Sequence, residues 1–115
     1  MAQTLKNHVA LITGSTTGLG YGIAKVLGLA GAKVIMNYYN DEERANRAFS
    51  EFQSLGCEGI LVRGNVIDEK SVQKIVEEGE SKFGEIDIVV PNATPDQPLK
   101  PIEEYDWEFY QQMIN

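Results

Sequence analysis

Apolar residues in this chain fall into two alternating patterns. His8-Val9-Ala10-Leu11-Ile12, Lys33-Val34-Ile35-Met36-Asn37, Gly59-Ile60-Leu61-Val62-Arg63 and Ile86-Asp87-Ile88-Val89-Val90 are short runs apolar on both sides. They predict buried strands. Between them the spacing turns helical. Leu19, Ile23, Val26, Leu27 and Ala30 predict a helix from Gly18 to Ala30, with Gly31 as its stop. Asn40 and Glu43 have the spacing of a capping box for a helix from Asp41 to about Leu55, whose stripe is Ala45, Ala48, Phe49, Phe52 and Leu55. Asp68 caps a third helix carrying Val72, Ile75, Val76 and Phe83, which ends near Gly84. Pro91, Pro95, Pro98 and Pro101 then mark an extended loop, and residues 103–115 begin another helix.

Strand and helix alternate throughout. Strands apolar on both sides, joined by helices, predict a parallel sheet covered on both faces. Right-handed crossovers place the first three strands side by side, and a reversal sets the fourth beside the first. The expected fold is a three-layer, doubly wound α/β sheet of Rossmann type with strand order 3-2-1-4. Residues 1–115 read as a single domain that runs through the fourth strand to the start of the next helix. A crevice is expected where the order reverses, near Thr13-Gly14 and Asn92-Ala93.

Composition narrows the field. The net charge is −7, which disfavours nucleic acid and anionic membrane surfaces as partners. Residues 1–40 contain Lys6, Lys25 and Lys33 and no acid, whereas the remainder sets seven basic against seventeen acidic side chains. The first third is therefore the least hostile surface for an anion. No apolar run approaches the roughly 18 residues that a membrane span requires. Cys57 is the single cysteine and His8 the single histidine, so no metal site is assigned and a reducing cytoplasmic setting fits best.

The strongest chemical signal is Thr13-Gly-Ser-Thr-Thr-Gly-Leu-Gly20, between the first strand and the first helix. A helix N-terminus offers unpaired N–H groups and the positive end of its dipole to a phosphate. Glycines serve where the chain turns sharply or where a Cβ would block the ligand. This turn resembles the Thr-Gly-x-x-x-Gly-x-Gly turn of the short-chain dehydrogenase/reductase family. Asn65-Val66 after the third strand is similar to that family's Asp-Val, and Asn92-Ala93 after the fourth to its Asn-Asn-Ala-Gly, with Pro91 and Thr94 departing from it.

The resemblance implies a nicotinamide dinucleotide cofactor and alcohol–carbonyl interconversion by hydride transfer. It implies that Gly14, Ser15, Thr16, Thr17, Gly18, Leu19 and Gly20 meet the pyrophosphate. Asn65 and Val66 would flank the adenine, and Asn92, Ala93 and Thr94 the path of the cofactor. Asn37, Tyr38 and Tyr39 end the second strand, where an acid favours NAD and a base NADP. They are neither, so discrimination should be weak, under about a hundredfold, with a slight lean to NADP.

The family's Ser, Tyr and Lys lie beyond the fourth strand, and no catalytic residue is assigned here. Tyr21 and Lys25 match Tyr-x-x-x-Lys by letters but sit on the pyrophosphate helix. The reading is therefore the NAD(P)-binding half of an oxidoreductase, inactive alone. The alternative is a catalytically silent nucleotide-binding or interaction module. A small-molecule substrate is expected only with the C-terminal half. Self-association is expected through the apolar fourth strand, which would form a bare sheet edge.

Overall fold

The computed structural model describes residues 4–92. Ala93, Thr94, Pro95, Pro98, Pro101 and the helix expected over residues 103–115 lie outside the described residues. The elements in chain order are β1 (Val9–Ile12), α1 (Gly18–Leu29), β2 (Lys33–Tyr38), α2 (Glu42–Ser54), β3 (Gly59–Arg63), α3 (Glu69–Phe83) and β4 (Ile88–Val90). The strands form one parallel sheet in the order β3-β2-β1-β4, the expected Rossmann arrangement. In register, Ile12 pairs with Met36 on one side and with Val90 on the other.

Successive side chains point to opposite faces, which builds two cores. Ile12, Val34 and Met36 pack with Ala24 of α1, Phe52 of α2 and Cys57. Val9, Leu11, Ile35 and Val62 pack with Ile75 of α3. Phe52 is fully buried, and a side chain of that size contributes about 1.5–3 kcal/mol on burial.

The face of α1 differs in part from the expected stripe, of which Ile23 and Leu27 pack against the core. Its buried residues are Gly20, Ala24 and Gly28, whereas Leu19 and Val26 are 73% and 63% exposed. The cause is close approach. A Cβ on Gly28 would stand 2.8 Å from the Phe52 ring and 2.9 Å from the Cys57 sulfur. Only small residues let this helix sit so near its neighbours.

Two boundaries also move. The N-cap of α2 is Asp41 rather than Asn40: Asp41 takes the left-handed conformation (φ 59°), and its Oδ1 accepts from Arg44 N at 3.0 Å. At the other end of the sheet, Ile86 and Asp87 precede β4 instead of opening it. Asp87 bonds to the start of β1: its Oδ1 accepts from Val9 N (2.9 Å), its N–H donates to Val9 O (3.1 Å), and its Oδ2 accepts from His8 Nδ1 (2.6 Å).

The Val9 N–H, more than any other contact, holds the Asp87 carboxyl below the usual range, with His8 adding to it and desolvation opposing. A lowered carboxyl contributes stability that is complete above the unfolded-chain value, about 3.9, and is lost as the pH falls through the folded value. Asp87→Asn should therefore be less stable than wild type at neutral pH. It should also lose less stability than wild type between about pH 5 and pH 2.5, as checked by urea melts across that window.

Candidate functional site

The site starts at the carboxyl end of β1, where the chain must turn without a ladder partner. Gly14 and Gly18 have φ of 58° and 54°, a region that glycine enters without penalty. The turn rests on β2. Ser15 N donates to Asn37 O (3.0 Å), and Asn37 N donates to Ser15 Oγ (2.8 Å). Gly14 N donates to Asn37 Oδ1 at 3.0 Å. The Asn37 amide nitrogen turns the other way and donates to the carbonyls of Gly64 (3.1 Å) and Val62 (3.3 Å). From the β4 side, Asn92 N donates to Thr13 Oγ1 (2.9 Å) and Asn92 Nδ2 to Gly14 O (3.1 Å).

The turn delivers the chain to the N-terminus of α1. Thr17 is its N-cap, in extended conformation, with no side-chain capping bond and no acid in the first turn. The first N–H groups of a helix have no carbonyl one turn back within it, so Gly18, Leu19 and Gly20 offer donors there. The other helices are closed at this end. Asp41 and Asp68 cap α2 and α3, and Glu42, Glu43 and Glu69 stand in their first turns.

A cleft of about 360 Å³ opens over these strand ends. Gly14, Thr16 and Thr17 line it from the turn, Asn37, Tyr38, Tyr39 and Asn40 from the end of β2, and Asn92 from the end of β4. The segment Gly64, Asn65, Val66 and Ile67 after β3 completes the wall together with Arg44 of α2.

A family profile for short chain dehydrogenases matches residues 8–115. The chain belongs to the short-chain dehydrogenase family. It is 39% identical over 89 residues to 2-dehydro-3-deoxy-D-gluconate 5-dehydrogenase of Formosa agariphila and 40% identical over 89 residues to versicolorin reductase of Emericella nidulans. Each alignment takes in 77% of this chain and 34% of the relative, so the chain spans about a third of these relatives' length. A dehydrogenase/reductase from Sinorhizobium meliloti superposes with a TM-score of 0.78 at 29% identity, over 98% of this chain and 44% of that one. A short chain dehydrogenase from Burkholderia cenocepacia in complex with NADP superposes with a TM-score of 0.75 at 28% identity, over 96% of this chain and 44% of that one.

Against that family pattern, the structure divides the expected site residues. Gly14, Thr16, Thr17, Asn37, Tyr38, Tyr39, Asn65, Val66 and Asn92 line one cleft. Ser15 is fully buried and serves β2 instead. Gly20 is a packing residue, because a Cβ there would overlap the Gly14 carbonyl oxygen and the Asn92 amide. Leu19 and Gly18 are exposed and stand outside the cleft wall. Asn37 lines the cleft, yet its amide oxygen and nitrogen are both engaged within the protein, so it shapes the site. Asn65 Oδ1 accepts from Ile67 N (3.1 Å), forming the turn into α3 and leaving its second lone pair for a ligand donor.

Asn40, Arg44, Gly64 and Ile67 are cleft residues that the sequence pattern did not single out. For Arg44 the available signal was its place in the first turn of the helix expected from Asp41.

The Tyr21–Lys25 pair has the wrong electrostatics for the family's proton donor. Tyr21 OH donates to Glu51 Oε1 at 2.7 Å, with Lys25 Nζ 4.6 Å from the ring centroid and 3.8 Å from Glu51. Burial first, and then the Glu51 carboxylate, push the Tyr21 hydroxyl well above the ordinary phenol value. A catalytic phenol needs the opposite shift.

Asn37→Asp tests the clamp. A carboxylate still accepts from Gly14 N, but it faces the Val62 and Gly64 carbonyls without a donor. The expected loss is about 2–4 kcal/mol in chemical denaturation. Asn92→Ala, which removes one partly buried hydrogen bond, should lose about 1 kcal/mol.

Proposed function

We propose that this chain is the dinucleotide-binding half of an NAD(P)-dependent oxidoreductase that interconverts alcohols and carbonyls. The observation that carries this reading is the uncapped N-terminus of α1, reached through the Gly14–Gly18 turn beside the cleft. Its residues fit a dinucleotide. The free N–H groups of α1 suit a pyrophosphate, and Gly18 has nothing within 4 Å of the position a Cβ would take. The Asn65–Ile67 segment, with buried Val66 against it, suits a flat apolar base edged by a hydrogen-bonding group. The NADP complex of the Burkholderia relative supports the same class of ligand.

When bound, the nicotinamide supplies the hydride. This chain's residues hold and orient it. Hydride addition to a carbonyl also needs a donor for the developing oxyanion. Among the described residues no Tyr–Lys pair lines the cleft. In this reading the catalytic donor comes from sequence beyond the fourth strand. A silent nucleotide-binding module would share this cleft, and a downstream Ser followed by Tyr-x-x-x-Lys separates the two readings.

Two further features accompany the proposal. The cytoplasm suits Cys57, which is buried with its thiol pushed up by that burial. No described helix is long and apolar enough to cross a membrane. Self-association suits β4, which among the described residues pairs only with β1 and keeps Ile88, Val89 and Val90 half-buried.

Calorimetry with NADP and NAD should detect binding to the 115-residue chain. Gly18→Val meets no protein atom within 4 Å, but its φ of 54° strains a β-branched residue, so unchanged circular dichroism accompanies the measurement. The variant should lower affinity for both dinucleotides at least tenfold, roughly 1.4 kcal/mol. Unchanged affinity would move the pyrophosphate elsewhere. A spectrophotometric screen over ketone, sugar and diketone substrates should show no turnover by this chain, and activity abolished by Tyr21→Phe would overturn the proposal. Sedimentation at tens of micromolar should show species larger than a monomer through an unpaired strand edge.

A further inference from the structure

Of the six large apolar side chains that stay exposed among the described residues, three lie on one helix. They are Leu19, Val26 and Leu29 of α1, and with Gly22 they recur at steps of three, four and three residues. That spacing sets them on one stripe along the outer side of the helix, in the a and d positions of two heptads. None of the four lines the cleft. We infer that this stripe is a dimerisation surface whose occupant is the α1 helix of a second copy of this chain, packed antiparallel. The inference goes beyond the strand-edge association proposed above, because it places a contact on a different element.

α1 is built unlike a solvated helix. Lys25 is its one charged residue in twelve. Its inner side carries Gly20, Ala24 and Gly28, and Ile23 and Leu27 pack against the core. A helix that is apolar around its whole circumference belongs in an interior. The outer sides of α2 and α3 differ. Arg47 pairs with Glu43 at 3.0 Å and Lys74 with Glu78 at 3.8 Å, each pair exposed and one helical turn apart. Lys25 has no such partner within α1, and it turns off the stripe toward Glu51 of α2.

The spacing names a helix as the occupant, because an a and d stripe offers knobs and holes to another helix. Charge names which helix. The chain carries −7, and every acidic side chain lies beyond residue 40. Two copies therefore repel over most of their surface and approach closely only through an acid-free face. α1 is such a face.

The stripe is also complementary to itself. In an antiparallel pair whose two-fold axis passes level with residue 24, Leu19 faces Leu29 of the second copy, and Gly22 faces Val26 of the second copy. The glycine receives the larger side chain: nothing lies within 4 Å of the position that a Cβ on Gly22 would take. The antiparallel sense also sets each helix dipole against its opposite. A helix of twelve residues is about 18 Å long, so the pair alone buries less than the roughly 1,200 Å² of a stable interface. The dimer is therefore weak.

Sedimentation equilibrium on the 115-residue chain provides the first test. Wild type should fit a monomer–dimer equilibrium with a Kd on the order of tens of micromolar. Val26→Lys and Leu29→Lys place like charges at the pair, on exposed positions where a helix accepts lysine. Circular dichroism should be unchanged and Kd should rise at least about tenfold. Gly22→Leu adds apolar surface yet fills the hole for Val26, so it should raise Kd at least about threefold, whereas unspecific adhesion would lower it. A short bis-maleimide should join Leu19→Cys to Leu29→Cys when the two variants are mixed, and should join neither to itself, because like positions lie about 15 Å apart along the pair. Cys57 is buried and stays unlabelled. Self-joining of either cysteine variant, a dimer unmoved by both lysines, or a dimer tightened by Gly22→Leu would each overturn the α1 pair and leave the strand-edge association standing. A wild type that remains monomeric up to hundreds of micromolar overturns both.

Discussion

Parallel strands leave the backbone groups just beyond their carboxyl ends without ladder partners, and a single buried amide, Asn37, takes them up here. Its oxygen holds the Gly14 N–H, its nitrogen holds the Gly64 and Val62 carbonyls, and its backbone exchanges bonds with Ser15. Three chain segments that leave three different strands are thereby fixed to one another. Each buried polar group left unpaired would cost about 1–3 kcal/mol, which is comparable to a large fraction of a small domain's net stability. The cleft is the outer surface of this arrangement. The turn can present Thr17 outward, with Thr16 lining the cleft beneath it, because Ser15 and Asn37 hold it from within.

The strands and their order were legible because burial on both faces leaves an unambiguous apolar run, and because right-handed crossovers permit few topologies. The glycine turn was legible because its spacing is specific. Three things were not. The fully buried face of α1 is glycine and alanine, and of the large apolar residues that the spacing picks out Ile23 and Leu27 pack against the core while Leu19 and Val26 are exposed. Asn37 reads from sequence as a polar strand end facing a ligand, whereas its partners lie 22 to 27 residues away and only the folded register brings them together. Arg44 lines the cleft from the first turn of α2, a position that no capping or apolar pattern in the sequence marks.

Helix ends divide the electrostatic work. α2 and α3 carry an aspartate cap and glutamates in the first turn, which neutralise the positive end of each dipole and satisfy its N–H groups. α1 has neither, and it is also the helix that follows the glycine turn. An acidic chain can bind an anion only where its own carboxylates are kept away, and the acid-free stretch of residues 1–40 supplies that place. The charge pattern and the capping pattern thus describe one fact. The sequence withholds from α1 the groups that would compete with a phosphate.

The Tyr21–Lys25 pair shows why a spacing motif has no chemical meaning until its element is known. Four residues apart on any helix, a phenol and an ammonium share a face, and here they are in contact, with Nζ 4.6 Å from the ring centroid. Proximity to a cation alone would lower the phenol's proton affinity. The surroundings reverse that effect. Partial burial removes water from the phenolate, and Glu51 from α2 accepts the hydroxyl proton's hydrogen bond while placing a negative charge beside the oxygen. Lys25 is also drawn toward Glu51, so its charge is shared with a carboxylate. The same two letters that elsewhere tune an acid serve here to tie α1 to α2. Tyr21 and Phe49 also pack against the core cluster that contains Phe52, so the contact lies at the junction of the two helices.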